Sequence, residues 1–219
     1  MKKVLLIMVV FFTVCFTGCS AVIGLFSEVG NGTIVTQERE IENFTAIEIS
    51  GAYSTEIIIG DKPSISIEAD ENLLEFITTE NDGDKLGIRN SKSIYSSHGI
   101  RIKVTVPDLN KLQFSGAGSV YVENISADKF NVRLSGAGSI NLQGKVDKLE
   151  AGICGAGSLH AIKMISNEVH VSVSGAASAD VYAGKSLHAS VSGVGSVGYY
   201  GNPVDVKKNI SGNGSISGK

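Results

Sequence analysis

Ser115-Gly116-Ala117-Gly118-Ser119, Ser135-Gly136-Ala137-Gly138-Ser139, Cys154-Gly155-Ala156-Gly157-Ser158, Ser174-Gly175-Ala176-Ala177-Ser178, Ser192-Gly193-Val194-Gly195-Ser196 and Ser211-Gly212-Asn213-Gly214-Ser215 are six copies of one pentapeptide. Their starts lie 20, 19, 20, 18 and 19 residues apart. A fixed period near 20 predicts a stack of equivalent units, each burying its apolar face against its neighbours. Such a stack argues against a single deep active site.

Outward from each motif, apolar residues alternate with polar ones at the two-residue period of half-buried strands. Leu112, Phe114, Gly116, Gly118, Val120 and Val122 share one parity, as do Val132, Leu134, Gly136, Gly138, Ile140 and Leu142. Polar stretches at 124–129, 143–148, 183–186 and 201–203 are read as turns. Each unit then holds two strand segments and a turn, the size of one parallel β-helix coil, with coils about 4.8 Å apart. The alternative is an antiparallel meander of six long strands, each kinked at its Gly-x-Gly. In-register repetition fits stacked coils better, because each motif then meets its own copy.

The six copies contain 11 glycines. At about 0.5–1 kcal/mol each relative to alanine, they cost on the order of 5–10 kcal/mol, comparable to the net stability of a whole domain. Two structural reasons would justify them: backbone angles that only glycine adopts readily, or close packing against bare backbone. A functional reason uses the opposite parity. Ser115, Ser119, Ser135, Ser139, Ser158, Ser174, Ser178, Ser192, Ser196, Ser211 and Ser215 would form a flat surface ladder of hydroxyls and methyls able to lie against a polysaccharide. Cys154 interrupts this ladder and points to burial instead. Both arrangements satisfy the pattern.

Residues 37–106 are strand-rich without the clean repeat, and 107–219 form the regular part. Ile47 and Ile49, Ile57 and Ile59, and Ile65 and Ile67 mark strands, separated by turn signals at 60–63 and 81–84. Glu71 to Phe76 is read as one helical turn, Ser91 to Gly99 as an exposed loop, and Pro107-Asp108 as a stop. Ser50-Gly51-Ala52-Tyr53-Ser54 reads as a degenerate motif copy, making this half an irregular start of the same stack.

Residues 1–18 read as a secretory signal peptide: Lys2 and Lys3, then an apolar run too short to span a bilayer comfortably. Phe16-Thr17-Gly18-Cys19 resembles a lipobox, so Cys19 is the expected lipidation site and 19–36 a lipidated tether. Acylation, including palmitate, would anchor the chain to the membrane of the bacterial cell envelope, the outer membrane in a Gram-negative cell. Without Lys2 and Lys3, 17 basic and 22 acidic side chains remain, a net charge of −5. With no basic cluster, nucleic acid is not an expected partner. Cys154 would have no disulfide partner. The last unit, Asn209 to Gly218, carries no evident polar cap, which predicts end-to-end pairing of two copies.

His98, His160, His170 and His188 show no metal-ligand spacing and are read as surface residues at different coil positions. Asp70 with Glu71, and Asp82 with Asp84, are read as solvated turn carboxylates. There is no Gly-x-Ser-x-Gly elbow, phosphate loop or dinucleotide fingerprint. The reading is therefore a non-enzyme with no cofactor, no metal and no catalytic residues.

Asn43-Phe44-Thr45-Ala46-Ile47-Glu48-Ile49-Ser50-Gly51, then 68–74 (Glu-Ala-Asp-Glu-Asn-Leu-Leu), 84–88 (Asp-Lys-Leu-Gly-Ile) and the Ser-Gly-x-Gly-Ser series carry a resemblance. Over roughly residues 40–216 the chain resembles the head GIN domain family of putative autotransporter adhesins, common among envelope lipoproteins. The resemblance implies a right-handed parallel β-helix and no known catalytic residues. Adhesion or binding of a glycan or surface is the leading expectation, and an envelope scaffold or self-assembly module the alternative.

Overall fold

The structure is a computed structural model that describes residues 27–219. The signal peptide, Cys19 and the first part of the tether lie outside the described residues. The chain opens with β1 (Glu28–Val29) and β2 (Ile34–Arg39), then makes a first coil from β3 (Ala46–Gly51) and β4 (Tyr53–Ile59). β5 (Ser64–Asp70), a 3-10 helix (Glu71–Phe76), β6 (Ile77–Asp82), β7 (Lys85–Asn90), β8 (Ile94–Tyr95) and β9 (Ile100–Val106) follow. The regular part is β10 (Lys111–Gly116), β11 (Ser119–Gly136), β12 (Ser139–Gly155), β13 (Ser158–Gly175), β14 (Ser178–Gly193), β15 (Ser196–Tyr200), β16 (Asp205–Gly212) and β17 (Ser215–Gly218).

These strands stack as a β-solenoid. Each motif sits at a corner between two parallel ladders. Before the corner, β7, β3, β10 and the second halves of β11 to β14 pair in order, followed by β16. After it, β9, β4, the first halves of β11 to β14, β15 and β17 do the same. Every motif meets its own copy: Ser50, Ser115, Ser135, Cys154, Ser174, Ser192 and Ser211 form one continuous register. The degenerate motif at 50–54 is thus a seventh rung. The antiparallel meander does not describe the regular part.

The core is made of the columns that parity selected. Ile49, Phe114, Leu134, Ile153, Val173 and Val191 stack from one ladder, and Val120, Ile140, Leu159, Ala179 and Val197 from the other, all buried. Both proposed reasons for the glycines operate, one at each motif glycine. Gly155 has φ +112°, and a Cβ there would lie 2.5 Å from the Gly136 carbonyl oxygen. Gly157 faces inward, and a Cβ there would lie 2.6 Å from Leu134 Cδ2. The coil therefore turns on one glycine and lets a core side chain reach bare backbone at the other.

Five expectations need correction. The stretches at 124–129 and 143–148 are not free turns: Ile125 to Ala127, Gly144 to Val146 and Met164 to Ser166 pair as a third short ladder. Ile125, Val146 and Met164 are buried there, so apolar side chains hold polar neighbours in place. The tether boundary at 36 falls inside β2, and β1 pairs with β8 inside the expected exposed loop. The order of coils also departs from chain order. β7 and β9 lie outside the β3–β4 coil, although they follow it in sequence.

The fifth concerns Asp70, which is buried. Its carboxylate accepts hydrogen bonds from the Gly32 N–H (2.7 Å) and the Ser96 hydroxyl. The Ser96 bond, more than the Gly32 N–H and nearby His98, outweighs burial and holds the carboxyl below its usual range. Asp70 thus clasps the entering chain to the 91–99 loop. Around it, β2, β5 and β6 run antiparallel to their neighbours and close this end of the stack. Arg39 completes the cap by donating to the Ile77 carbonyl at 2.6 Å and the Leu74 carbonyl at 2.9 Å.

Candidate functional site

The first serine of each motif, namely Ser115, Ser135, Ser174, Ser192 and Ser211, is exposed, and so is Cys154 in the same column. The second serine lies around the corner on the other ladder. Ser119, Ser139, Ser158 and Ser178 are half-buried, while Ser196 and Ser215 are exposed. Hydroxyls in this second column bond to one another in two places, Ser178 to Ser158 at 3.2 Å and Ser119 to Ser54 at 3.4 Å. The expected flat Ser-Ala-Ser lattice is therefore a ridge, because the backbone bends at Ala117 and its counterparts. Only the first serine column continues the face before the corner.

That face carries an open trough of about 550 Å³. Strand geometry explains its shape. Side chains two and four residues ahead of each first serine point outward with it. The column two residues ahead reads Arg133, Gly152, Ser172, Ser190 and Asn209, so the floor is bare backbone and small hydroxyls. The column four residues ahead reads Asn131, Glu150, His170, His188 and Lys207 and forms one wall. Toward the corner the floor runs into the exposed serine column. The trough crosses five rungs, four spacings of about 4.8 Å, or roughly 19 Å along the stack.

His170 and His188 occupy the same coil position on adjacent strands, which corrects the expectation that the histidines are scattered. Counting four residues back from the serine of each motif would have paired them. His188 Nδ1 lies 3.0 Å from His170 Nε2, with ring centroids 4.7 Å apart in an edge-on arrangement. Burial, then the charges of Lys148 and His188, push the His170 imidazole below its ordinary pKa, against the opposing pull of Glu150 and Glu168. These surroundings favour the neutral imidazole. Glu150 takes both Lys129 (2.9 Å) and Lys148 (3.0 Å) on one carboxylate oxygen, and these bonds hold it well ionised. Arg133 is exposed and has no ion-pair partner among the described residues.

Other features are weaker. A second hollow of about 350 Å³ on the other ladder holds Tyr121, Asn141, Gln143 and His160. Among the described residues, no three His, Cys, Asp or Glu side chains gather closely enough to share a metal ion. At the far end, Lys208 occupies the inward column of the last coil, donating to the Ile216 carbonyl at 3.2 Å and lying 4.8 Å from the Tyr199 ring centre. Lys207 and Lys208 place two charges on the edge strand β16, a device that opposes strand-to-strand pairing. The expected end-to-end contact meets that charge.

Solved structures share this architecture. A crystal structure of a putative adhesin from Bacteroides fragilis matches with TM-score 0.74 at 21% identity, covering 87% of this chain and 99% of that one. One described as a putative lipid binding protein from Parabacteroides distasonis matches with TM-score 0.60 at 22% identity, covering 88% and 99%. A putative adhesin from Parabacteroides distasonis matches with TM-score 0.56 at 19% identity, covering 88% and 100%. At these identities the likeness shows the fold alone. No curated protein is detectably similar in sequence. The family model described as "Putative auto-transporter adhesin, head GIN domain" matches residues 43–203, and the chain belongs to that family.

Proposed function

We propose that this protein is a non-catalytic, lipid-anchored cell-envelope protein that holds an extended polysaccharide against the serine-bearing face of its solenoid. The observation that carries this reading is the trough itself. It is open, crosses five rungs, and has a floor of glycine and serine that merges with the exposed serine column. A polymer of hydroxyl-bearing units can approach bare backbone and short hydroxyls closely along such a surface. Membership in an adhesin-like family supports a place at the bacterial surface or envelope. Anchoring through Cys19 would hold the stack close to the membrane.

The test is binding of the protein to immobilised polysaccharides, comparing the wild type with Ser135→Met and Ser174→Met, which add bulk without charge. Both positions are exposed, so the fold tolerates the longer side chain while the floor is blocked. Binding by the wild type, lost in both variants, supports the reading. Binding retained in both removes this face from the function, and no binding to any polysaccharide removes the function itself. Palmitate labelling abolished by Cys19→Ala tests the anchor separately.

A further inference from the structure

We propose that the polysaccharide held in the trough is anionic, anchored at Arg133 and gripped more tightly when His170, hydrogen-bonded to His188, takes up a proton. This rests on the polysaccharide-binding reading and names the ligand class. Arg133 closes one end of the floor with an exposed guanidinium that no carboxylate of the described residues engages. A guanidinium of this kind matches a carboxylate or phosphate through two parallel hydrogen bonds. Beside it, Gly152 removes the side chain that would otherwise stand between Arg133 and the next rungs. An acidic group on Arg133 can therefore continue as a chain over Ser172 and Ser190 toward Lys207 at the far end.

Two of the three carboxylates near this path, Glu150 and Asp205, are already paired, while Glu168 is exposed with no ion pair among the described residues. Glu150 is held by Lys129 and Lys148, and Asp205 lies 3.8 Å from Lys207. Glu168 stands two residues ahead of His170 on the same strand and pairs in register with Lys148 and Ser186. Around the floor, the cations Arg133, Lys129, Lys148 and Lys207 outnumber the carboxylates Glu150, Glu168 and Asp205. The chain as a whole is acidic, with a formal net charge of −3. On an acidic protein this cationic patch is a local site for anionic groups.

The histidines supply the variable part. At 3.0 Å, one ring nitrogen donates to the other, so the neutral pair shares a single hydrogen bond. A proton taken up by His170 would sit in a partly buried place beside Lys148, which opposes protonation when the trough is empty more than Glu150 and Glu168 favour it. An anionic group laid over the wall reverses that balance. Binding and proton uptake are therefore linked, and affinity rises as pH falls through the histidine range.

Titration calorimetry with polygalacturonate, a polyglycerol phosphate and neutral dextran tests this at about pH 7.5 and pH 5.5. The expected result is binding to one or both acidic polymers, not to dextran, with at least about a tenfold loss in Arg133→Ala. Arg133→Lys, which keeps the charge, recovers part of that loss. His170→Gln with His188→Gln abolishes the gain on acidification, read as the ratio of that variant's own affinities at the two pH values. Preference between the carboxylate and phosphate polymers identifies the anionic group. Equal binding of dextran, or unchanged affinity in Arg133→Ala, overturns the anionic assignment while the polysaccharide reading stands. A gain on acidification that persists in the histidine variant overturns their role. Failure of all three polymers to bind overturns both.

Discussion

Gly155→Ala should be among the most damaging single-methyl changes in the regular coils. Gly155 has φ +112°, a region that costs a residue with a Cβ on the order of 1–3 kcal/mol. The added methyl would lie 2.5 Å from the Gly136 carbonyl oxygen. That oxygen cannot move aside freely, because it accepts the Ala156 N–H at 2.9 Å. Distorting this bond costs about 0.5–1.5 kcal/mol more. The sum is about 1.5–4.5 kcal/mol, a large part of the stability of a typical domain. Gly157→Ala provides the internal comparison. Its methyl would lie 2.6 Å from the flexible end of Leu134 and 2.7 Å from the Gly138 carbonyl oxygen, but its φ lies outside the left-handed region and the fourth motif already carries Ala177 at the equivalent position. Denaturant titration followed by circular dichroism should rank Gly155→Ala well below Gly157→Ala, with the exposed Ala156→Ser near wild type. A reversed order, or Gly155→Ala within about 0.5 kcal/mol of wild type, would refute the corner argument.

Two further predictions concern the irregular half. Thr55 is buried between Ile102 and Val120 in an inward column, and its hydroxyl has no hydrogen-bond partner among the described residues. Thr55→Val should raise stability by about 1–2 kcal/mol in the same titration, and a loss would mean the hydroxyl is satisfied after all. The Asp70 carboxyl is depressed in the folded state, so its stabilisation is fully present above the unfolded pKa, near 4, and disappears as pH falls through the lower folded value. Asp70→Asn should cost about 1–3 kcal/mol at pH 7 and flatten the acid limb of the stability curve. An acid limb as steep as that of wild type would show that Asp70 is not the clasp.

The repeat and the two-residue alternation were sufficient to determine the solenoid and its core. A buried parallel column requires an apolar residue at the same place in every unit, and Phe114, Leu134, Ile153, Val173 and Val191 provide one. The trough was also legible in principle. Its two columns stand two and four residues ahead of each first serine, and aligning the units on the motif brings His170 and His188 together. The third ladder was hidden, because the apolar residues that hold it, Ile125, Val146 and Met164, sit among polar neighbours at shifting register.

What the chain determined by itself is everything that depends on repetition: the coil length, the facing of side chains, and the stacking of each motif on its copies. Only the tertiary structure decided what depends on contacts between segments without a shared period. Asp70 lies in a stretch of turn-like polar residues, and its burial follows from Gly32 and Ser96 arriving from distant positions. The outward placement of β7 and β9 follows from an antiparallel cap that local sequence does not encode. Whether the serines lie flat or around a corner was likewise decided by a backbone bend, since alternation fixes which way a side chain points from its strand but not where the strand turns.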